Sequence, residues 1–155
     1  MGFIGVGGHG IGRNLQSFLH QADAEPVALC DVDEERAGKV FGKHPEVPRF
    51  KDFRVMMDKM ANEIDAVAIS TPDHMHATIA ITAMELGKHV YVEKPLVLHE
   101  HEAEQLIRLA EKRSLILMVG HLLQYHPVFV RLKELIQAGE LGRMNYIYSH
   151  RLNLG

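Results

Sequence analysis

Residues 2–14 read GFIGVGGHGIGRN. A short apolar run opens the stretch, and Gly5, Gly7, Gly8, Gly10 and Gly12 crowd the residues after it. Glycine costs backbone entropy to order and adds nothing to a core. Such a cluster therefore implies a turn that needs unusual angles, or a neighbour too close for a β-carbon. From Gly5 to Gly10 the spacing is G-x-G-x-x-G. Beyond it, Ile11, Leu15, Phe18 and Leu19 share one face of a helix over about 10–22. Strand, glycine loop and helix start, in that order, are the setting in which this spacing wraps a dinucleotide's diphosphate. Gly5 would allow the tight turn, Gly7 the approach of a ligand to the backbone, and Gly10 close packing of helix on strand. Free N–H groups at the helix start then meet the anion. Gly5, Gly7, Gly8, His9, Gly10 and Ile11 are thus the candidate cradle. His9, at the loop tip, either contacts phosphate or is simply solvated.

Working outward, apolar runs alternate with helical patterns. Strands are expected at 2–6, 25–31, 47–50, 64–71, 88–95 and 115–120, and helices at 10–22, 33–42, 52–61, 74–87, 99–112 and 127–138. The run IDAVAIST (64–71) is continuous, as in a strand covered on both faces. This alternation predicts an α/β fold with a doubly wound, mainly parallel sheet, a Rossmann-type dinucleotide-binding fold. Asp31 ends the second expected strand, 21 residues after Gly10. An acid near that distance binds a ribose 2′-hydroxyl; the competing reading is a helix cap for the segment starting at Asp33. A carboxylate there repels a 2′-phosphate, and no Arg or Lys follows until Arg36. NAD is therefore expected in preference to NADP.

Composition narrows the partners. A net charge of -3 leaves no basic excess for nucleic acid or a membrane surface. No apolar run approaches the roughly 20 residues of a membrane span, and the N-terminus lacks a signal peptide's basic and apolar regions. The single cysteine, Cys30, lies in the apolar run PVALC and reads as a core residue, not a nucleophile. A cytoplasmic protein is expected. His74 and His76 form H-x-H, but on a helix they point apart, so no metal site is expected.

Two further motifs fall at strand ends on the same carboxyl edge as the glycine loop. These are STPDHMH (70–76) and EKP (93–95). With the loop and Asp31 they make the chain resemble the Gfo/Idh/MocA family of NAD(P)-dependent oxidoreductases over residues 2 to about 152. The resemblance implies an N-terminal Rossmann domain followed by an α/β substrate domain. It also implies hydride transfer between a nicotinamide and a hydroxyl of a sugar or nucleotide sugar. By it, Ser70, Thr71, Pro72, His76 and Glu93 would line the nicotinamide-ribose region. Lys94 would be the active-site lysine, its ammonium steadying charge on the substrate oxygen; the plainer reading is a solvated surface lysine. For His76 the plainer reading is a residue packed under the sheet edge. Asp73 stands where many relatives carry Asn, and Gln124 and Tyr125 stand where Arg and an aromatic are common.

Residues 142–153 alternate and are rich in aromatics, so a strand of different habit is expected there. The expected division is a Rossmann domain over 1–141 and, over 142–155, the first strand of a largely absent second α/β domain. Left unpaired, that strand would bring two chains together as a homodimer or else be disordered. Two functions remain open at this point. One is the cofactor half of a sugar dehydrogenase. The other is a non-catalytic NAD(P)-binding regulatory or interaction module.

Overall fold

The computed structural model describes residues 1–8 and 11–150, with the side chains of 11–14 excepted. Among the described residues the chain forms two compact units, 1–120 and 121–155.

The first unit alternates strand and helix as expected. In order it holds β1 (Gly2–Ile4), α1 (Ile11–Leu19), β2 (Ala28–Cys30), α2 (Glu34–Lys43), β3 (Arg49–Phe50) and α3 (Phe53–Lys59). Then come β4 (Ala66–Ile69), a short 3₁₀ turn at Asp73–Met75, α4 (His76–Glu85), β5 (His89–Val92), α5 (Glu100–Arg113) and β6 (Leu117–Val119). The described strands make one parallel sheet in the order β3-β2-β1-β4-β5-β6. The order reverses between β1 and β4, which leaves a crevice beyond their carboxyl ends.

The strands carry side chains alternately to two cores. Ile4, Cys30, Val67, Ile69, Val90 and Val92 face α3, α4 and α5, through Met56, Met57, Ile79, Met84 and Leu106. Phe3, Leu29, Ala68 and Tyr91 form one row on the other face, under Leu15, Ala37 and Phe41 of α1 and α2. In the middle of that row the small Ala68 leaves room for the Phe18 ring. The ring meets Phe3 edge-on at 6.0 Å and Tyr91 at 5.3 Å between centroids. Helix starts are set locally. Asp33 accepts the Arg36 N–H at 3.0 Å and Asp52 accepts the Arg54 N–H at 2.9 Å, satisfying donors that have no partner within the helix.

In the second unit, a 3₁₀ turn at Leu122–Tyr125 precedes α6 (Pro127–Gln137). Pro127 suits the first turn, where a missing N–H costs nothing, and the His126 ring accepts the Val128 N–H. The strand expected over 142–153 does not form in its described part, residues 142–150. Alternation alone does not make a strand. The ladder supplies the hydrogen bonds, and no described segment pairs with this one. Residues 151–153 lie outside the described part. No described helix is long and apolar enough to cross a membrane.

Candidate cofactor cleft

β1 ends at Ile4 and the chain turns at Gly5 with φ of +86°. The Gly5 N–H still donates to the Cys30 carbonyl at 2.8 Å, so the turn is anchored to β2. A β-carbon on Gly5 would lie 2.7 Å from the Ser70 carbonyl oxygen and 2.8 Å from the Thr71 nitrogen. Both the left-handed angle and the contact with the end of β4 demand glycine. Gly7 is different from the expectation. A β-carbon there would meet Arg36 Cβ at 3.0 Å and Asp31 Oδ2 at 3.1 Å. The space beside Gly7 belongs to the first turn of α2 and to Asp31, not to open solvent. The open position is Gly8, whose β-carbon would meet nothing within 4 Å among the described residues. His9 and Gly10 lie outside the described residues, as does the side chain of Ile11, whose backbone begins α1.

Asp31 joins loop to sheet. Its Oδ2 accepts the Gly7 N–H at 2.6 Å and its Oδ1 accepts the Asp33 N–H at 2.9 Å. The side chain that caps α2 is Asp33, not Asp31. A carboxylate has about four acceptor directions, so two remain for a hydroxyl.

Gly5, Gly7, Gly8, Asp31, Ser70, Thr71 and Pro72 border one cleft of about 630 Å³, within the range of small-molecule sites. The Ser70 and Thr71 hydroxyl oxygens are buried, with no hydrogen-bond partner among the described residues. A buried hydroxyl left unpaired costs about 1–3 kcal/mol. Arg36 and His74 also border the cleft, as do Lys51 and Arg54, which escaped the sequence reading. Lys51 and Arg54 follow β3, the neighbour of β2, so the strand order would have pointed to them. Lys51 pairs with Glu34 at 3.4 Å and Arg54 with Asp52 at 2.9 Å. The Arg54 guanidinium holds the Asp52 carboxyl below the usual carboxylate range. Cys30 forms part of the floor. Burial first, then the charges of Asp31 and Asp52, push its thiol up to about 12, which suits a core residue and not a nucleophile.

At the next strand end the expected residues separate. Glu93 and Lys94 follow β5, in register beside the end of β4. Tyr91 Oη donates to Glu93 Oε1 at 3.2 Å, and the Lys94 N–H donates to Glu93 Oε2 at 3.3 Å. Burial and the Glu93 charge raise the Tyr91 phenol to about 12. Gly120, after β6, makes room for this pair: a β-carbon there would sit 2.6 Å from Tyr91 Oη. Lys94 is exposed. His76, by contrast, is 1% exposed and does not border the cleft. Its Nδ1 lies 2.7 Å from the Pro95 carbonyl oxygen and its Nε2 2.9 Å from that of Thr71. His74 and His76 thus face different surroundings. Among the described residues no group of His, Cys, Asp or Glu is placed to hold a metal ion.

A parallel sheet with its order reversed at β1 and β4, a glycine turn at that point and an acid one strand away define an NAD(P)-binding Rossmann domain. Comparison with known proteins agrees. Residues 1–121 match the family model described as an oxidoreductase family with an NAD-binding Rossmann fold, and the chain belongs to the Gfo/Idh/MocA family. It is 36% identical over 151 residues to the UDP-N-acetylglucosamine 3-dehydrogenase of Acidithiobacillus ferrooxidans, covering 97% of this chain and 44% of that protein. Among solved structures it is similar to a KijD10 3-ketoreductase variant from Actinomadura kijaniata in complex with TDP-benzene and NADP. That match has TM-score 0.76 and 25% identity, over 89% of this chain and 42% of that one. The fold also matches the WlbA dehydrogenase of Bordetella pertussis, in complex with NADH and UDP-GlcNAcA. Here the TM-score is 0.81 and identity 22%, over 92% of this chain and 42% of that one. The chain spans under half the length of these relatives.

Proposed function

We propose that the chain is the cofactor-binding half of an NAD-dependent dehydrogenase acting on a hydroxyl of a sugar or nucleotide sugar. The observation that carries this reading is the pair of orphaned hydroxyls, Ser70 Oγ and Thr71 Oγ1, buried where the cleft meets the end of β4. A polar ligand seated there would satisfy both. The amides from Gly8 to Ile11 would hold its diphosphate, with α1's N-terminus behind them. Asp31 would accept from the adenosine ribose. Ser70, Thr71, Pro72 and Glu93 would flank the nicotinamide end, with His76 behind them. A nicotinamide, when bound, supplies a carbon that gives or takes hydride. Lys94 would donate to the substrate oxygen and stabilise its developing charge.

NAD is favoured over NADP because the Asp31 carboxylate borders the cleft and, of the three Lys and Arg side chains that border it among the described residues, Lys51 and Arg54 are already paired. Met144, Tyr146, Ile147 and Tyr148 are exposed, and a homodimer would cover them. Light scattering that shows only monomer would overturn that assembly.

The test is titration with NADH and NADPH, read by nicotinamide fluorescence. Tight NADH binding with weaker NADPH binding is expected, and no binding of either overturns the reading. Turnover of nucleotide sugars is then compared with Lys94→Ala, which should keep NADH affinity and lose hydride transfer. NADH binding without turnover in either protein favours a non-catalytic module.

A further inference from the structure

His76 touches two segments at once. Its ring nitrogens lie at hydrogen-bond distance from the carbonyl oxygens of Thr71 and Pro95. Thr71 follows Ser70 in the segment that carries the orphaned hydroxyls. Pro95 directly follows Lys94. The two segments leave adjacent strands, since Ile69 of β4 and Val92 of β5 are register partners. The imidazole therefore spans the gap from one strand end to the other.

Its chemistry suits that role. Carbonyl oxygens only accept, and a neutral imidazole has one N–H, so it serves one of the two carbonyls at a time, whereas the protonated ring serves both. The ring is planar and 1% exposed, so water scarcely reaches its two nitrogens. No other side chain of this size offers nitrogens on two sides of a rigid frame.

We propose that His76 is a positioning residue that fixes the Lys94 segment relative to the Ser70–Thr71 wall of the cleft. This rests on the cofactor-site reading for its purpose, but not for its geometry. The two links are separable. In an asparagine the amide nitrogen falls near the place of Nδ1, so His76→Asn keeps the link to Pro95 and drops that to Thr71. In a glutamine it falls near Nε2, so His76→Gln does the reverse.

The experiment is amide hydrogen exchange by mass spectrometry on the full chain and both variants, without cofactor. In His76→Gln, peptides covering 93–98 should exchange at least tenfold faster than in the wild type, and those covering 70–75 within threefold. In His76→Asn the pattern should invert. Equal acceleration of both segments in both variants would show that the ring only fills space, and would overturn the proposal. Should either variant fail to fold, proton NMR of the wild type decides. A slowly exchanging His76 ring N–H with cross-peaks to Thr71 or Pro95 supports the link, and a freely exchanging one refutes it. None of these readouts needs a bound dinucleotide, so failure to bind NADH overturns the cofactor reading alone.

Discussion

Replacing Gly8 by leucine separates the cost of folding the glycine loop from the cost of binding to it. Among the described residues a β-carbon at this position meets nothing within 4 Å, so the folded chain should accept the side chain. Removing a glycine also restricts the unfolded chain, which stabilises by about 0.4–1 kcal/mol where no strain results. The melting temperature should therefore hold or rise by a few degrees. Affinity should behave otherwise, because the isobutyl group stands between a diphosphate and the loop amides. Each charge-assisted hydrogen bond contributes roughly 1.5–3 kcal/mol. Losing two costs about 3–6 kcal/mol, hence at least a hundredfold in the NADH dissociation constant. Gly5→Ala is the control with the opposite signature. Its methyl would sit 2.7 Å from the Ser70 carbonyl oxygen at φ of +86°. Left-handed strain and overpacking together cost about 3 kcal/mol, a melting point lower by roughly 10 °C. Thermal melts and fluorescence titrations on the same samples read both quantities. Should the Gly8 variant bind NADH within threefold of wild type, the loop is not a diphosphate cradle.

Two further outcomes concern the packing around Tyr91. Gly120→Ala forces its methyl to 2.6 Å from Tyr91 Oη and should break the bond to Glu93, lowering stability by about 1–3 kcal/mol in chemical denaturation. An unchanged midpoint would mean that Tyr91 moves aside freely. Tyr91 and Cys30 each reach about 12 in the fold, above their ordinary 10 and 9. Each therefore holds its proton longer folded than unfolded. Stability should be flat below pH 9 and fall as pH rises from 9 toward 12. Denaturation midpoints measured against pH should flatten in Tyr91→Phe and Cys30→Ala; the same slope in both variants would contradict the assignment.

Much of the sheet was legible because buried parallel strands leave an unmistakable trace. The run at 64–71 is apolar throughout since Val67 and Ile69 face one core and Ala68 the other. The expected strands overran their observed ends at the carboxyl edge, where β1 stops at Ile4 and β4 at Ile69. The surplus residues, Gly5 and Ser70, are the ones that turn away to build the cleft. Gly5 and Asp31 could be read from spacing. The reason for Gly7 could not, because its neighbours Arg36 and Ala37 come from another helix. Lys51 and Arg54 stayed hidden for a related cause: only strand order brings β3 beside β2. His76 was placed on a helix, but a helical period cannot say that a ring spans two carbonyls. At 142–150 the alternation was real and the strand was not, since pairing is a property of two segments.

The Phe18 ring over Ala68 gives the sheet a keyway. A helix that starts straight after the glycine loop is aimed by a methyl group buried under its last turn, beneath a ring wedged between Phe3 and Tyr91. Tyr91 in turn grips Glu93. Enlarging residue 68 would lever that ring out, tilt the helix and loosen the grip in one motion. Mutational drift at this spot, which does not itself border the cleft, would thus blunt the cleft while leaving its visible residues intact.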